Sequence, residues 1–135
     1  MPARRAAAVM KDHLRLRRSG DLEADLARNF ADDVVLVTDN SRLHGHDAIR
    51  KSAGRLREQL PGARIEFVTC QVEGEYALLV WRARSDRCAV DCGVDSFHIR
   101  NGRIVAQTIH YDLTKPADVA ARGQDGRRTE EGPPG

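Results

Sequence analysis

The sequence predicts an α+β domain: three N-terminal helices covering a cone-shaped, strongly curved antiparallel sheet. Two observations predict it. Apolar residues recur at three- and four-residue steps as far as Leu60, and at alternate positions from Ala63 onward. Helices first and a meander of long strands afterwards is an α+β plan, and helices laid on the inner face of a curled sheet enclose a cone with an open mouth. At 135 residues the chain has room for one such domain and not for two.

The elements follow in order. From Ala3 to Arg18, the residues Ala6, Val9, Met10, His13 and Leu14 share one helix face, apolar except for His13, and Ser19-Gly20 ends it. A shorter helix starts at Asp21, with Leu22, Leu26 and Phe30 four apart, and "ADD" at 31–33 breaks it. Val34 to Val37 reads as a strand and "DNSRLHGHD" as loop. Asp47 then opens a third helix with the face Ile49, Ala53, Leu56 and Leu60, which Pro61-Gly62 stops. Strands are expected over Ile65–Val72 and Tyr76–Ser85, joined at Glu73-Gly74-Glu75, and over Val90–Arg100 and Arg103–Leu113, joined at Asn101-Gly102. In the second of these, Leu79, Trp81 and Ala83 share a face while Arg82 and Arg84 project from the other. Residues 116–135 turn to Gly, Pro, Arg, Asp and Glu with few apolar side chains, so the domain is expected over 1–115 and a disordered tail over 116–135.

Composition removes several function classes. The formal net charge is only +2, with acids and bases interleaved, and aromatic residues make up 4%, too few for stacking platforms; nucleic acid is not an expected partner. No window has the length and apolarity of a membrane span, and the N-terminus lacks a signal peptide's apolar core. The three cysteines, Cys70, Cys88 and Cys92, are odd in number and not spaced as a redox or zinc motif. They read as reduced thiols of a cytoplasmic protein. "HGH" with Asp47 lacks a third fixed ligand and reads as a turn and helix start, so no metal is expected.

One residue breaks the pattern. Asp95 alternates in phase with Phe97 and Ile99, so a carboxylate points to the inner face of the sheet, towards Trp81. An ionised carboxylate there must be paired, hydrogen-bonded or protonated. It either faces a ligand or pairs internally, with Arg82 or with a backbone amide freed by a bulge near Gly93.

The "SGD" at 19–21, "FADDVVLV" from Phe30, "HGHDAIRK" from His44 and "DSFHIRNGRIV" from Asp95 occur in an order and spacing that resemble the nuclear transport factor two-like superfamily. Within it the chain is similar to SnoaL-like polyketide cyclases and ketosteroid isomerases, over roughly Arg5 to Thr114. The resemblance implies the cone fold and leaves isomerase, cyclase, hydrolase and binding roles open. In the isomerases an aspartic acid at the place of Asp95 helps form an oxyanion hole, kept neutral by apolar surroundings. The second oxyanion donor, a tyrosine in the first helix, corresponds here to His13. The general base, an aspartate ending the first strand, falls on Thr38 or Asp39. His13 has the alternative of a satisfied core histidine, and Asp39 that of turn chemistry in "TDNS".

On the last strand, Tyr111 matches a cavity aromatic of the isomerases, which favours Gln107, Ile109 and Tyr111 as pocket-lining; a bulge would put His110 there instead. The expected site is thus Asp95, Asp39 and His13 for catalysis, with Tyr111, Trp81, Phe97, Gln107 and His110 binding a small hydrophobic molecule. Acid–base chemistry beside a carbonyl or epoxide needs no metal or redox cofactor. The alternative is a non-catalytic binding or dimerisation module using the same cone. A homodimer is expected through the outer sheet face, where Tyr76 and Val80 lie beside Arg82 and Arg84; domains of the family pair through this surface.

Overall fold

A computed structural model describes residues 2–115. The proposed disordered tail, 116–135, lies outside the described residues.

The first helix, α1, spans Ala6–Ser19 and buries Ala6, Val9, Met10, His13 and Leu16. Gly20, at φ 80°, takes the left-handed conformation that ends it. The second, α2, spans Leu22–Asn29, and Asp21 caps it by accepting the Ala24 N–H at 3.2 Å. Here the structure departs from the expected break at 31–33. The chain passes straight from helix to strand, and β1 runs Phe30–Thr38 with Ala31, Asp32 and Asp33 inside it. A register irregularity between Phe30 and Val35 accommodates the two acids, both solvent-exposed, on an otherwise apolar strand. The expected loop after Thr38 contains a short strand, β2 (Arg42–His44), which folds back antiparallel on β1. The third helix, α3, spans His46–Gln59.

The four remaining strands are β3 (Arg64–Glu73), β4 (Tyr76–Arg84), β5 (Ala89–Arg100) and β6 (Arg103–Tyr111). The sheet order is β2-β1-β6-β5-β4-β3. All pairings are antiparallel except β1 with β6, which is parallel, so the sheet is mixed where alternation alone suggested a purely antiparallel one. Register shifts between Phe67 and Thr69, Trp81 and Ala83, and His98 and Ile99 bend successive strands in the way a curled sheet requires. The Asn101-Gly102 turn has both residues at positive φ, 53° and 77°, matching the twist of its flanking strands.

The helices lie against the concave face. Val9, Met10, Leu26, Phe30, Val34, Leu36 and Ile49 meet Leu79, Trp81, Phe97, Ile99 and Ile104 in one core. No helix among the described residues is long and apolar enough to cross a membrane.

Candidate functional site

Strand β5 brings Asp95 into the cone as its alternation demands. Asp95 is 8% exposed and pairs across the ladders with Leu79 on β4 and Ile109 on β6. Its two oxygens are held separately. Trp81 donates its indole N–H to Oδ1 at 2.9 Å, and Gln107 donates its amide to Oδ2 at 3.0 Å. Arg82 takes no part; it pairs with Glu66 on the outer face. The indole reaches Asp95 because it lies over Gly93, its ladder partner, where a Cβ would overlap the ring. Burial pushes the Asp95 carboxyl above its ordinary value, against the opposing pull of the Trp81 and Gln107 hydrogen bonds and the charges of Arg17 and His13.

His13 faces the same cavity from α1 and is 4% exposed. Its Nδ1 lies 2.8 Å from Oδ2 of Asp25, and a carboxylate can only accept, so Nδ1 carries the proton when Asp25 is ionised. The ring packs edge-on against Phe30 and Phe97, with centroids 5.5 and 5.3 Å away. Behind it the chain of contacts continues: Asn29 donates to Asp25 at 2.9 Å and to Asp12 at 3.0 Å, and Arg15 and Arg28 close on Asp12. Asp25 is therefore fully buried yet fully partnered, and it fixes the ring with Nε2 as the nitrogen left for the cavity.

The wall is apolar: Leu14, Leu22, Ile49, Leu56, Phe67, Leu79 and Ile109 among others. Tyr111 donates its hydroxyl to Oε1 of Gln59 at 2.6 Å and leans its ring on Trp81 at 5.5 Å. The enclosed volume is small, ≈ 50 Å³ counted as space open to the centre of a water molecule. One buried polar atom there, Oε1 of Gln107, has no hydrogen-bond partner among the described residues. It is an acceptor waiting for a donor.

The structure thus brings together Asp95, His13, Trp81, Gln107 and Tyr111, with Phe97 packed in the core against the His13 ring. Asp39 and His110 do not line this cavity, although Asp39 lines an adjoining pocket that shares Ile109 and Tyr111 with it. The inward positions of β1 are Val34, Leu36 and Thr38, so Asp39 falls on the opposite parity just past the strand end. No bulge interrupts β6 between Gln107 and Tyr111, so His110 points outward. The two side chains meet each other instead, Nδ1 of His110 within 2.8–2.9 Å of both Asp39 oxygens, and both are exposed. With Asp112 they form a grouping, among the described residues, whose possible metal-ligating atoms lie within 4.8 Å of one another. Both ring nitrogens already face carboxylates, Asp112 at 3.9 Å from Nε2, and the cluster is solvated. Thr38 takes the inward place, where its hydroxyl is engaged with Ser41 and the Asn40 N–H.

Asp25, Arg17 and Gln59 were not among the expected site residues. Asp25 had the same signal as Asp95: with Leu22, Leu26 and Asn29 it lies at steps of three and four on the buried face of its helix. Arg17 follows His13 by four, one turn further along the same face.

A family model for the SnoaL-like domain matches residues 10–107, and the chain belongs to that family. Among solved structures, a nuclear transport factor two-like protein of unknown function from Mesorhizobium loti is 24% identical, with TM-score 0.67, over 79% of this chain and 90% of that one. A candidate polyketide cyclase from Sinorhizobium meliloti is 23% identical, TM-score 0.63, over 76% and 93%. A candidate isomerase of the SnoaL-like family from Agrobacterium tumefaciens is 20% identical, TM-score 0.61, over 79% and 97%. At these identities the likeness is one of fold. No curated protein matches the chain.

Proposed function

We propose that the protein is a cofactor-independent acid–base enzyme of the isomerase or cyclase type, acting on a small hydrophobic molecule bearing a carbonyl or epoxide. The observation that carries this reading is that Asp95 and His13 face one largely apolar cavity, which Gln107, Arg17, Asp25 and Ser52 also line, each of the two held by its own partners. Nε2 of His13 removes a proton beside the carbonyl, and the Asp25 carboxylate stabilises the imidazolium that forms. Asp95, its neutral form favoured by burial, hydrogen-bonds the carbonyl oxygen as negative charge develops there. The proton then returns from His13 to a different carbon, which completes an isomerisation. Proton removal is assigned to His13 rather than Asp39 because Asp39 is bound to His110 outside the cavity.

The test is conversion of a β,γ-unsaturated cyclic ketone in D₂O, followed by NMR. Asp95→Asn and His13→Gln should retain the far-UV circular dichroism of the parent and lower the rate by roughly 10²–10⁴-fold. Parent-like rates in both variants, or no conversion by the parent, would sink the assignment.

The second reading, a non-catalytic binding or dimerisation module, is favoured by the small enclosed volume and by the outer face of the sheet. There Tyr76 is 63% exposed and Leu78 41%. We propose a homodimer through that face on either reading, and a monomer mass in sedimentation would count against it. The three free thiols support a reducing, cytoplasmic location.

A further inference from the structure

A groove adjoins the cavity and shares Arg17, Leu22, Ala53, Leu56 and Ile65 with it. Its remaining walls are apolar or glycine, apart from a second guanidinium, Arg57, and no acidic residue among the described ones lines it. Neither Arg17 nor Arg57 has an ion pair or a hydrogen bond among the described residues, although Arg17 is partly buried. Position at a helix C-terminus explains part of this, since both lie in last turns where basic residues suit the helix dipole. Arg18 occupies the same turn of α1 and stacks on the Phe67 ring at 4.9 Å. Arg17 has no such contact and stands where cavity and groove meet.

Three other arginines on or near the helices are matched to carboxylates, Arg15 and Arg28 to Asp12 and Arg50 to Glu23 and Asp47, whereas Arg55, like Arg17 and Arg57, has no ion pair among the described residues. The two acids inside the cavity are already engaged, Asp25 by His13 and Asn29, Asp95 by Trp81 and Gln107. An apolar groove bearing two guanidinium groups without an ion pair or hydrogen bond among the described residues, one of them acting on Asp95 only through its charge, is complementary to a molecule of the opposite design. We infer that the ligand is an anionic amphiphile, an apolar skeleton that enters the cone and a carboxylate that stays at its mouth on Arg17, with Arg57 flanking it. This deepens the reading of the cavity as a substrate site by naming the substrate class. It also explains how a small enclosed volume suffices, because the ligand occupies the groove as well as the cone.

The experiment compares sodium decanoate with the neutral decanamide, titrated into the full chain and followed by the fluorescence of Trp81, the chain's single tryptophan and a residue of the cavity wall. Decanoate should bind saturably, and roughly tenfold or more tightly than the amide, the factor expected for one charge-assisted contact at a partly exposed site. Arg17→Gln should remove that preference while leaving amide binding as it was, Arg17→Lys should restore part of it, and Arg57→Gln should weaken decanoate to a lesser degree. Added salt should reduce decanoate binding and leave the amide unchanged. Equal binding of the two ligands, no saturable binding of decanoate, or an Arg17→Gln protein that keeps its preference would each overturn the inference. These readouts contain no chemical step, so loss of proton transfer in the ketone assay with the charge preference intact would sink the enzymatic reading alone.

Discussion

His13 with Asp25 and His110 with Asp39 are both joined through Nδ1 at 2.8 Å, yet the first pair is buried at the apex of the cone and the second lies in solvent at its rim. The residue types and the contact are the same. The surroundings differ. Behind His13, every acceptor on Asp25 is matched and the network runs on to Asp12 and three arginines, Arg4 among them at 3.8 Å. Beside His110 the further charged partner among the described residues is a second carboxylate, Asp112 at 3.9 Å, and the pair is exposed. A buried pair restricts a ring to one orientation and leaves one nitrogen for chemistry, whereas an exposed pair mainly adjusts a charge.

The largest effect should come from breaking the buried pair. Asp25→Ala leaves His13 Nδ1 and an Asn29 amide proton without their buried acceptor. Urea denaturation should show a loss of about 3–5 kcal/mol, the range for removing one partner of a buried pair. Asp39→Ala should leave the denaturation midpoint nearly where it was. A comparable loss in both variants would mean that burial is not what separates them.

Next comes the floor of the cavity. Gly93→Ala puts a methyl group where the Trp81 ring lies, so the indole must move and release Asp95. Overpacking of this kind costs about 1–3 kcal/mol. The proposed activity should fall with it, while Gly54→Ala, inside α3 where a Cβ meets only the Arg57 side chain at 3.8 Å, is the control that should keep the activity and raise stability by about 0.5–1 kcal/mol.

The pH dependence sharpens the contrast further. Burial holds the Asp95 carboxyl above 3.8 in the folded chain, so the unfolded chain ionises first. Stability therefore falls as pH climbs from 3.8 to the raised folded value and is level beyond it. Asp95→Asn should lose that slope and gain on the parent as pH rises through the window. His110 is raised above 6.5 by its hydrogen bond to Asp39. Its contribution is complete below 6.5 and disappears as pH rises through the folded value, with Asp39→Asn abolishing it. Urea midpoints measured from about pH 4 to about pH 9 separate the two windows. The smallest effect expected is that of salt, which should erase the His110 slope and leave the Asp95 slope in place.

Much of this was legible from periodicity. Asp95 announced itself by alternating in phase with Phe97 and Ile99, and His13 by lying three residues after Met10 on an apolar face; both are buried where the pattern puts them. Alternation on β6 grouped Tyr111 with Gln107, and the resemblance, not the alternation, chose that face over the one bearing His110. The rim was not legible. Whether Thr38 or Asp39 faces inward depends on the phase of β1, and the exposed acids 32–33 hid where that strand begins. The network behind His13 was missed for another reason. Asp25 was not singled out in the sequence, although its step from Leu22 and to Asn29 places it on the buried face.

The parallel pairing of β1 with β6 has a consequence for how the chain acquires its structure. Leu36 meets Gln107 and Thr38 meets Ile109, so the strand that follows the first two helices has its inner neighbour near the far end of the domain. Until β6 has been made, the strand holding Val34 and Leu36 has only the three-residue β2 as a strand neighbour. The β3–β6 meander can form by successive neighbouring hairpins, but the helical half must then be docked onto it across a long loop closure. A chain emerging from the ribosome would therefore hold its helices and first strand uncommitted until the last strand arrives. That interval is when exposed apolar surface is most open to capture by another chain or a chaperone.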